Sequence, residues 1–318
     1  MVQQVGSDQK IKLLCVVGPT ASGKTRLAVE LAKKINGEII SCDSVQVYRG
    51  LDIGSAKPTA RDMGGIAHHM IDVVEPEESF SAADFAREAE IIARDIVSRG
   101  RMPIVAGGTG LYLQSLIYPP GFSPAGADEA YRAELKNRAE GGEDLHKLLA
   151  SLDPRSAERL HPNDSKRVIR ALEVFKITGK PLSDYHGNPA QSPFSAIIIG
   201  LDAAERAFLY YRINSRVDAM MSAGLLEETA ALHLAGRFGK TTRKAIGYAQ
   251  IIEYLEGRCS LDEAVELIKR ATRRYAKRQL TWFRRDQSIK WSLIDRAPFE
   301  EIVEDSLKFV KIFTAPVP

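Results

Sequence analysis

Residues 11–25 read Ile11-Lys12-Leu13-Leu14-Cys15-Val16-Val17-Gly18-Pro19-Thr20-Ala21-Ser22-Gly23-Lys24-Thr25, and this stretch decides the fold. Its first seven residues form a near-continuous apolar run of the kind buried in a parallel sheet, and the run breaks at Gly18-Pro19 into a glycine-bearing turn. Leu27, Leu31 and Ile35 then recur four apart as far as Asn36-Gly37, which predicts a helix that opens at the turn and stops at a glycine. A strand, then Gly18-x-x-x-x-Gly23-Lys24-Thr25, then a helix is the full context of a phosphate-binding loop. Gly18, Pro19, Thr20, Ala21, Ser22, Gly23, Lys24 and Thr25 are the expected phosphate-binding set. The glycines let backbone N–H groups close around phosphate oxygens and the helix N-terminus adds positive potential. Lys24 supplies a full charge, and the Thr25 hydroxyl can ligate Mg²⁺. A diphosphate or triphosphate is the expected ligand.

Outward from the loop, Glu38-Ile39-Ile40-Ser41-Cys42 reads as a second strand, and the polar run Asp43 to Tyr48 starts where it ends. A helix is predicted over residues 81–98, with Ser81 as its N-cap, Asp84 as the capping partner, and Phe85, Ala89, Ile92 and Ile96 on one face. Ile104-Val105-Ala106 is a further short strand closed by Gly107-Gly108-Thr109-Gly110. Strands alternating with helices imply an α/β fold: a phosphate-loop parallel sheet flanked by helices, with right-handed crossovers. This catalytic core is expected over residues 10–120. A helical insertion domain is expected over residues 121–194, with helices near 128–139 and 164–177. Ser195 to Leu201 reads as a return strand, so residues 195–318 are expected to rejoin the sheet and continue as a helical, basic C-terminal region.

The chain has 318 residues, 44% hydrophobic and 27% charged, which excludes a disordered or collagen-like protein. No stretch approaches the ~20 apolar residues of a membrane span. Cys15, Cys42 and Cys259 are too scattered for a disulfide framework or zinc site and read as buried thiols. His68 and His69 read as structural. His146, His161, His186 and His233 carry no assigned role. The net charge of +3 conceals an asymmetry: residues 239–290 hold 13 Lys/Arg against 6 Asp/Glu. Such a basic block suits either a polyanionic partner or a solvated helix face.

Asp43 is the most informative residue beyond the loop. At a strand end on the phosphate side, a carboxylate can take a proton from a nucleophile, bind Mg²⁺ or cap a turn. Its neighbours Ser44, Gln46 and Tyr48 suit the holding of a heteroaromatic base. Further segments follow in order: Gly54-Ser55-Ala56-Lys57-Pro58, His68-His69-Met70-Ile71-Asp72, Gly107 to Tyr112, His161-Pro162-Asn163-Asp164, Arg170 to Val174, Ala245-Ile246-Gly247-Tyr248 and Lys277 to Arg284. Together with the phosphate loop and Asp43 to Tyr48, this ordered set closely resembles the tRNA dimethylallyltransferases, also called tRNA isopentenyltransferases, over nearly the whole chain.

The resemblance implies transfer of a dimethylallyl group from dimethylallyl diphosphate to N6 of the adenosine just 3′ of the anticodon, with release of diphosphate and Mg²⁺ as cofactor. It implies catalytic roles for Asp43 as acceptor of the N6 proton or anchor of that amine, for Thr20, and for Arg216 on the diphosphate near the breaking bond. Thr20, Lys24 and Thr25 would hold diphosphate oxygens. It implies tRNA contacts at Asp43, Ser44, Val45, Gln46, Thr109, Arg132, Lys166, Arg167, Arg170, Lys244, Gly247, Tyr248 and Gln250. The partner would be the anticodon stem-loop of tRNA, with the target base flipped out of its stack.

The basic segment then has a role: Lys269, Arg270, Arg273, Arg274, Lys277 and Arg278 recur four apart and fall on one side of a helix. Tyr275, Trp282 and Phe283 read as core. A cytoplasmic monomer is expected. The competing readings are a small-molecule or nucleotide kinase, for which no paired-arginine lid is recognisable, and a non-catalytic RNA-binding protein, which conflicts with the intact Lys24 and Thr25.

Overall fold

The computed structural model describes residues 10–118, 125–185 and 192–315. The chain begins with β1 (Ile11–Val17), whose last five residues are buried. The phosphate loop leads into α1 (Lys24–Ile35), which stops where Asn36 turns left-handed at φ 51°. β2 (Gly37–Cys42), α2 (Ala60–Met63), β3 (His68–His69), α3 (Ala82–Ser98), β4 (Met102–Gly107) and α4 (Gly110–Ile117) follow. Next come α5 (Glu129–Glu140), α6 (Leu145–Leu152), α7 (Pro154–Arg159) and α8 (Ser165–Thr178). β5 (Phe194–Asp202) returns to the sheet, and α9 (Arg206–Ser222), α10 (Leu225–Leu234), α11 (Tyr248–Leu255), α12 (Leu261–Phe283), β6 (Lys290–Leu293) and α13 (Phe299–Thr314) complete the described chain.

The strands form a six-stranded sheet in the order β3-β2-β4-β1-β5-β6, every pair parallel. The apolar run of β1 is explained by burial on both faces. Leu13, Cys15 and Val17 point into one cluster with Phe85 and Ile96 of α3 and Leu113 of α4. Leu14 and Val16 point into the other with Leu27 and Leu31 of α1 and Ile302 and Val310 of α13. Each such leucine, fully buried, contributes about 1.5–3 kcal/mol. At the start of α3 the Ser81 hydroxyl accepts from Asp84 N–H and the Asp84 carboxylate accepts from Ser81 N–H, a reciprocal cap of about 1 kcal/mol.

Two strands go beyond what the spacing predicts. β6 lies in the region expected to be helical and pairs with the far side of β5 through Ile199 and Lys290. β3 is formed by His68 and His69 themselves, opposite Ile39 and Ile40. His69 Nε2 lies 2.7 Å from the buried Glu38 carboxylate, and the ring N–H of His68 donates to Ile66 O at 2.9 Å. Both side chains are thereby engaged in structure. Arg99 and Arg101 also bind Glu38, and the hydrogen bonds from Arg99 and His69 hold its carboxyl down at about 2 against the opposing effect of burial.

Register positions the chemistry. Val17 lies opposite both Gly107 and Gly200, and Cys42 lies opposite Gly107. The segments leaving β1, β2 and β4 therefore emerge side by side at the carboxyl edge of the sheet, where ligands bind in open α/β folds.

Residues Tyr118–Ser192 make a second compact unit. Its helices pack around Leu135, Leu149, Val168 and Leu172. Glu173, fully buried there, receives Arg132, Arg170 and the Asp128 N–H. Burial alone would raise its pKa, but the hydrogen bonds from the two arginines hold it below the ordinary value. Among the described residues no helix is long and apolar enough to cross a membrane.

Candidate active site

The phosphate loop has a backbone that only its sequence allows. Gly18 sits at φ 143°, and a Cβ there would lie 2.4 Å from Leu201 O. Three contacts hold the loop. Lys24 Nζ donates to Pro19 O at 2.7 Å, Arg212 Nε donates to Ala21 O at 2.8 Å, and Thr20 N–H donates to Gln279 Oε1 at 2.9 Å. Ser22 Oγ is buried with no hydrogen-bond partner among the described residues. Burial, and then the neighbouring Arg216, push the Lys24 ammonium down to about 7. Arg216 is itself lowered by burial, with Asp43 opposing that shift, and it makes no hydrogen bond or ion pair among the described residues. Lys24 and Arg216 outnumber the one carboxylate near them, Asp43, and neither forms an ion pair with it, so the loop keeps net positive charge that suits an anion.

At the end of β2, Asp43 folds into a turn: its Oδ1 accepts from Val45 N–H at 2.8 Å and Gln46 N–H at 3.3 Å. Thr109, on the glycine segment after β4, accepts the Ser44 N–H at 3.1 Å. The Gln46 amide donates to Ser55 O at 3.3 Å and Ala56 O at 3.2 Å while its oxygen accepts the Ser41 hydroxyl at 2.9 Å. Lys57 donates to Tyr48 O at 3.0 Å and pairs with Asp52 and Asp72, tying down the same loop.

These elements enclose a cavity of about 350 Å³. Its lining includes Thr20, Lys24, Thr25, Asp43 and Arg216 together with the apolar side chains of Val45, Val217, Met220, Ile246 and Ile268. Lys24, Thr25 and Arg216 also face a larger opening of about 890 Å³ on the α1 side, where Arg26, Lys33, Arg61 and Arg212 add positive charge. No three His, Cys, Asp or Glu side chains converge as a metal cage among the described residues. The oxygen donors present, the Thr25 hydroxyl and the Asp43 carboxylate, fit a hard Mg²⁺ that keeps most of its coordination for water and phosphate oxygens.

The structure gathers Thr20, Lys24, Thr25, Asp43, Ser44, Val45, Gln46, Arg216, Lys244 and Gly247 on one cavity. Other expected contacts lie elsewhere. Arg132 and Arg170 are drawn onto Glu173, whose buried carboxylate needs both charges, so they hold the second unit together. Lys166 and Arg167 are exposed on the first turn of α8. Tyr248 has no exposed surface and gives its hydroxyl to Glu228 at 2.6 Å, while Gln250, partly exposed, accepts the Gly247 N–H at 2.9 Å through its amide oxygen. Thr109 and Gln46 spend their polar atoms on Ser44, Ser41, Ser55 and Ala56, which makes them supports of the Asp43 turn. Phe283 is core and Trp282 packs against it, but Tyr275 stands on the cavity wall. Of the basic residues on α12, Lys269 pairs with Asp218 and Arg273 donates to Asn214, so the exposed positive face is Arg270, Arg274, Lys277 and Arg278. His186 lies outside the described residues.

Gln279 stands within the family segment Lys277 to Arg284, though the resemblance implies no role for it, while Glu228 and the apolar wall at Met220 and Ile268 read as ordinary helix residues.

The model of the IPP transferase family matches residues 46–286. This chain belongs to that family. It is 49% identical over 303 residues to the tRNA dimethylallyltransferase of Geobacillus kaustophilus, covering 94% of this chain and 96% of the relative. Identity to the tRNA dimethylallyltransferase of Geobacter sulfurreducens is 49% over 315 residues, covering 97% and 99%. Among solved structures, the tRNA isopentenylpyrophosphate transferase of Bacillus halodurans aligns with a TM-score of 0.73 at 45% identity, covering 95% of this chain and 96% of that one. A eukaryotic dimethylallyltransferase described as acting on tRNA aligns with a TM-score of 0.78 at 28% identity, covering 96% and 80%. The family, the parallel-sheet fold and membership of a prenyltransferase class of enzyme are thus established together.

Proposed function

We propose that this protein transfers a dimethylallyl group from dimethylallyl diphosphate to N6 of the adenosine next to the anticodon of tRNA, releasing diphosphate. The observation that carries this reading is the composition of the 350 Å³ cavity, which is lined at once by the phosphate loop with Arg216, by apolar side chains and by the Asp43 carboxylate. A diphosphate head and a short hydrocarbon tail match those two surfaces.

In the reaction the adenine N6 lone pair forms a bond to the allylic carbon as that carbon's bond to oxygen breaks. The electron pair leaves on diphosphate, and the N6 proton passes to the Asp43 carboxylate. Lys24, Arg216 and the N-terminus of α1 meet the growing negative charge on the diphosphate. Thr20 and Thr25 give it hydroxyl contacts, and the Thr25 hydroxyl and Asp43 carboxylate would hold Mg²⁺, which would neutralise part of that charge. Asp43 keeps one oxygen in its turn and so holds the other toward the base. The apolar wall keeps water from the allylic carbon. Lys244 and the exposed arginines of α12 supply phosphate contacts whose strength falls with salt.

The test is to supply unmodified tRNA and Mg²⁺ with dimethylallyl diphosphate labelled in the prenyl group or with ATP labelled at the γ-phosphate. Prenyl label in RNA is the expected result. Turnover of ATP with no prenyl label in RNA would favour a kinase instead.

A further inference from the structure

Gln279 lies on α12, far along the chain from the phosphate loop, yet its amide closes that loop. Its Oε1 accepts the Thr20 N–H at 2.9 Å and its Nε2 donates to Gly108 O at 2.9 Å. Only 6% of the residue is exposed, so both bonds are shielded from water. Its Nε2 also occupies space that a larger residue at 108 would need, since a Cβ there would lie 2.1 Å away. One amide therefore fixes the spacing of the glycine segments that follow β1 and β4. It also withdraws the Thr20 N–H from any ligand, leaving Thr20 to act through its hydroxyl alone. Tyr275, one turn earlier on the same helix, lines the same cavity.

We propose that Gln279 is a positioning residue for the transfer: by bridging Thr20 and Gly108 from the basic helix α12, it sets the phosphate loop at the distance from Asp43 at which donor and base react. This rests on the reading of the cavity as the donor site. An ionised carboxylate cannot do the same, because the bridge needs an acceptor facing Thr20 and a donor facing Gly108, and a carboxylate only accepts. A protonated carboxylic acid is the exception, accepting through its carbonyl and donating through its O–H.

That exception makes the test specific. In Gln279→Leu, both bonds are lost at similar volume, and kcat/KM for dimethylallyl diphosphate should fall about 10²-fold, the cost of a displacement near 1 Å at reacting groups. Affinity for tRNA should stay within about twofold of wild type. Gln279→Glu should be as poor at high pH, where its carboxylate repels Gly108 O. It should recover as pH falls through the raised pKa of a buried carboxyl, giving a limb absent from the wild-type profile. Gly108→Ala, which displaces Gln279 from the opposite side, should reproduce the Leu defect, and combining it with Gln279→Leu should add little. Melting temperatures recorded alongside identify any variant that has unfolded, and the remaining variants then carry the comparison. A Gln279→Leu enzyme with wild-type kcat/KM, or a Gln279→Glu profile parallel to wild type, overturns the assignment. Wild-type enzyme that moves no prenyl group in the same assay overturns the donor-site reading, and this inference with it.

Discussion

Glu228 and Tyr248 meet inside the protein, the phenol donating to the carboxylate at 2.6 Å. The same carboxylate accepts the N–H groups of Asp52, Ile53 and Gly54 at 3.1, 2.8 and 3.1 Å. One side chain of α10 thus gathers the loop that carries Gly54 and the first residue of α11; Gly54 and Gly247, the residue before α11, line the cavity. Burial, and then the Glu228 carboxylate, push the Tyr248 hydroxyl well above its ordinary pKa, so it stays a donor at every working pH. Tyr248→Phe should cost about 1.5–3 kcal/mol, the range for a hydrogen bond to a charged group. Urea unfolding measures it, and tRNA affinity should change little because the phenol faces Glu228.

Asp43→Asn separates two roles of one residue. The amide oxygen can still accept from Val45 and Gln46 and keep the turn, but it cannot take a proton. Single-turnover transfer should slow about 10²–10⁴-fold while donor binding is retained. A rate within about threefold of wild type would assign the proton elsewhere.

Lys24 sets a pH dependence for donor binding. With its free-enzyme pKa lowered to about 7, chiefly by burial, the ammonium is half deprotonated there, and a bound diphosphate raises that pKa. Donor binding must then take up a proton above pH 7, so affinity should fall with rising pH by up to about tenfold per unit. Below 7 the lysine is already charged and this dependence vanishes. Calorimetric titration with inorganic diphosphate in buffers of different ionisation heat counts the proton, and Lys24→Met should abolish its uptake.

The second unit offers a contrast. Arg132→Ala leaves Glu173 buried with one charge partner fewer, which should destabilise that unit by about 3 kcal/mol. Double substitution with Glu173→Gln should recover much of the loss. A fall in tRNA affinity with unchanged stability would instead place Arg132 in direct contact with RNA.

The phosphate loop was legible because three local signals coincide over residues 11–35: an apolar run, a glycine pattern and a four-residue helical repeat. The cap at Ser81 and Asp84 was legible for the same reason, its partners being three residues apart. β6 was not, because Lys290-Trp291-Ser292-Leu293 is a short edge strand with no alternation to mark it. Tyr275 looked like core because an aromatic at helical spacing usually is, and only the cavity beside it shows otherwise. The resemblance implied tRNA contacts at Arg132 and Arg170, and nothing in the sequence reveals that Glu173 lies buried between them. Gln279 and Glu228 work on loops 171 to 259 residues away, or on backbone N–H groups, and neither leaves a local pattern.

The most direct measurement is nucleoside mass spectrometry on unmodified tRNA after incubation with the enzyme, dimethylallyl diphosphate and Mg²⁺, with released diphosphate counted in parallel. Adenosine carrying a dimethylallyl group on N6 beside the anticodon, one for each diphosphate freed, is the predicted result. Diphosphate freed without prenylated adenosine, or a prenyl group on any other atom, would contradict the account.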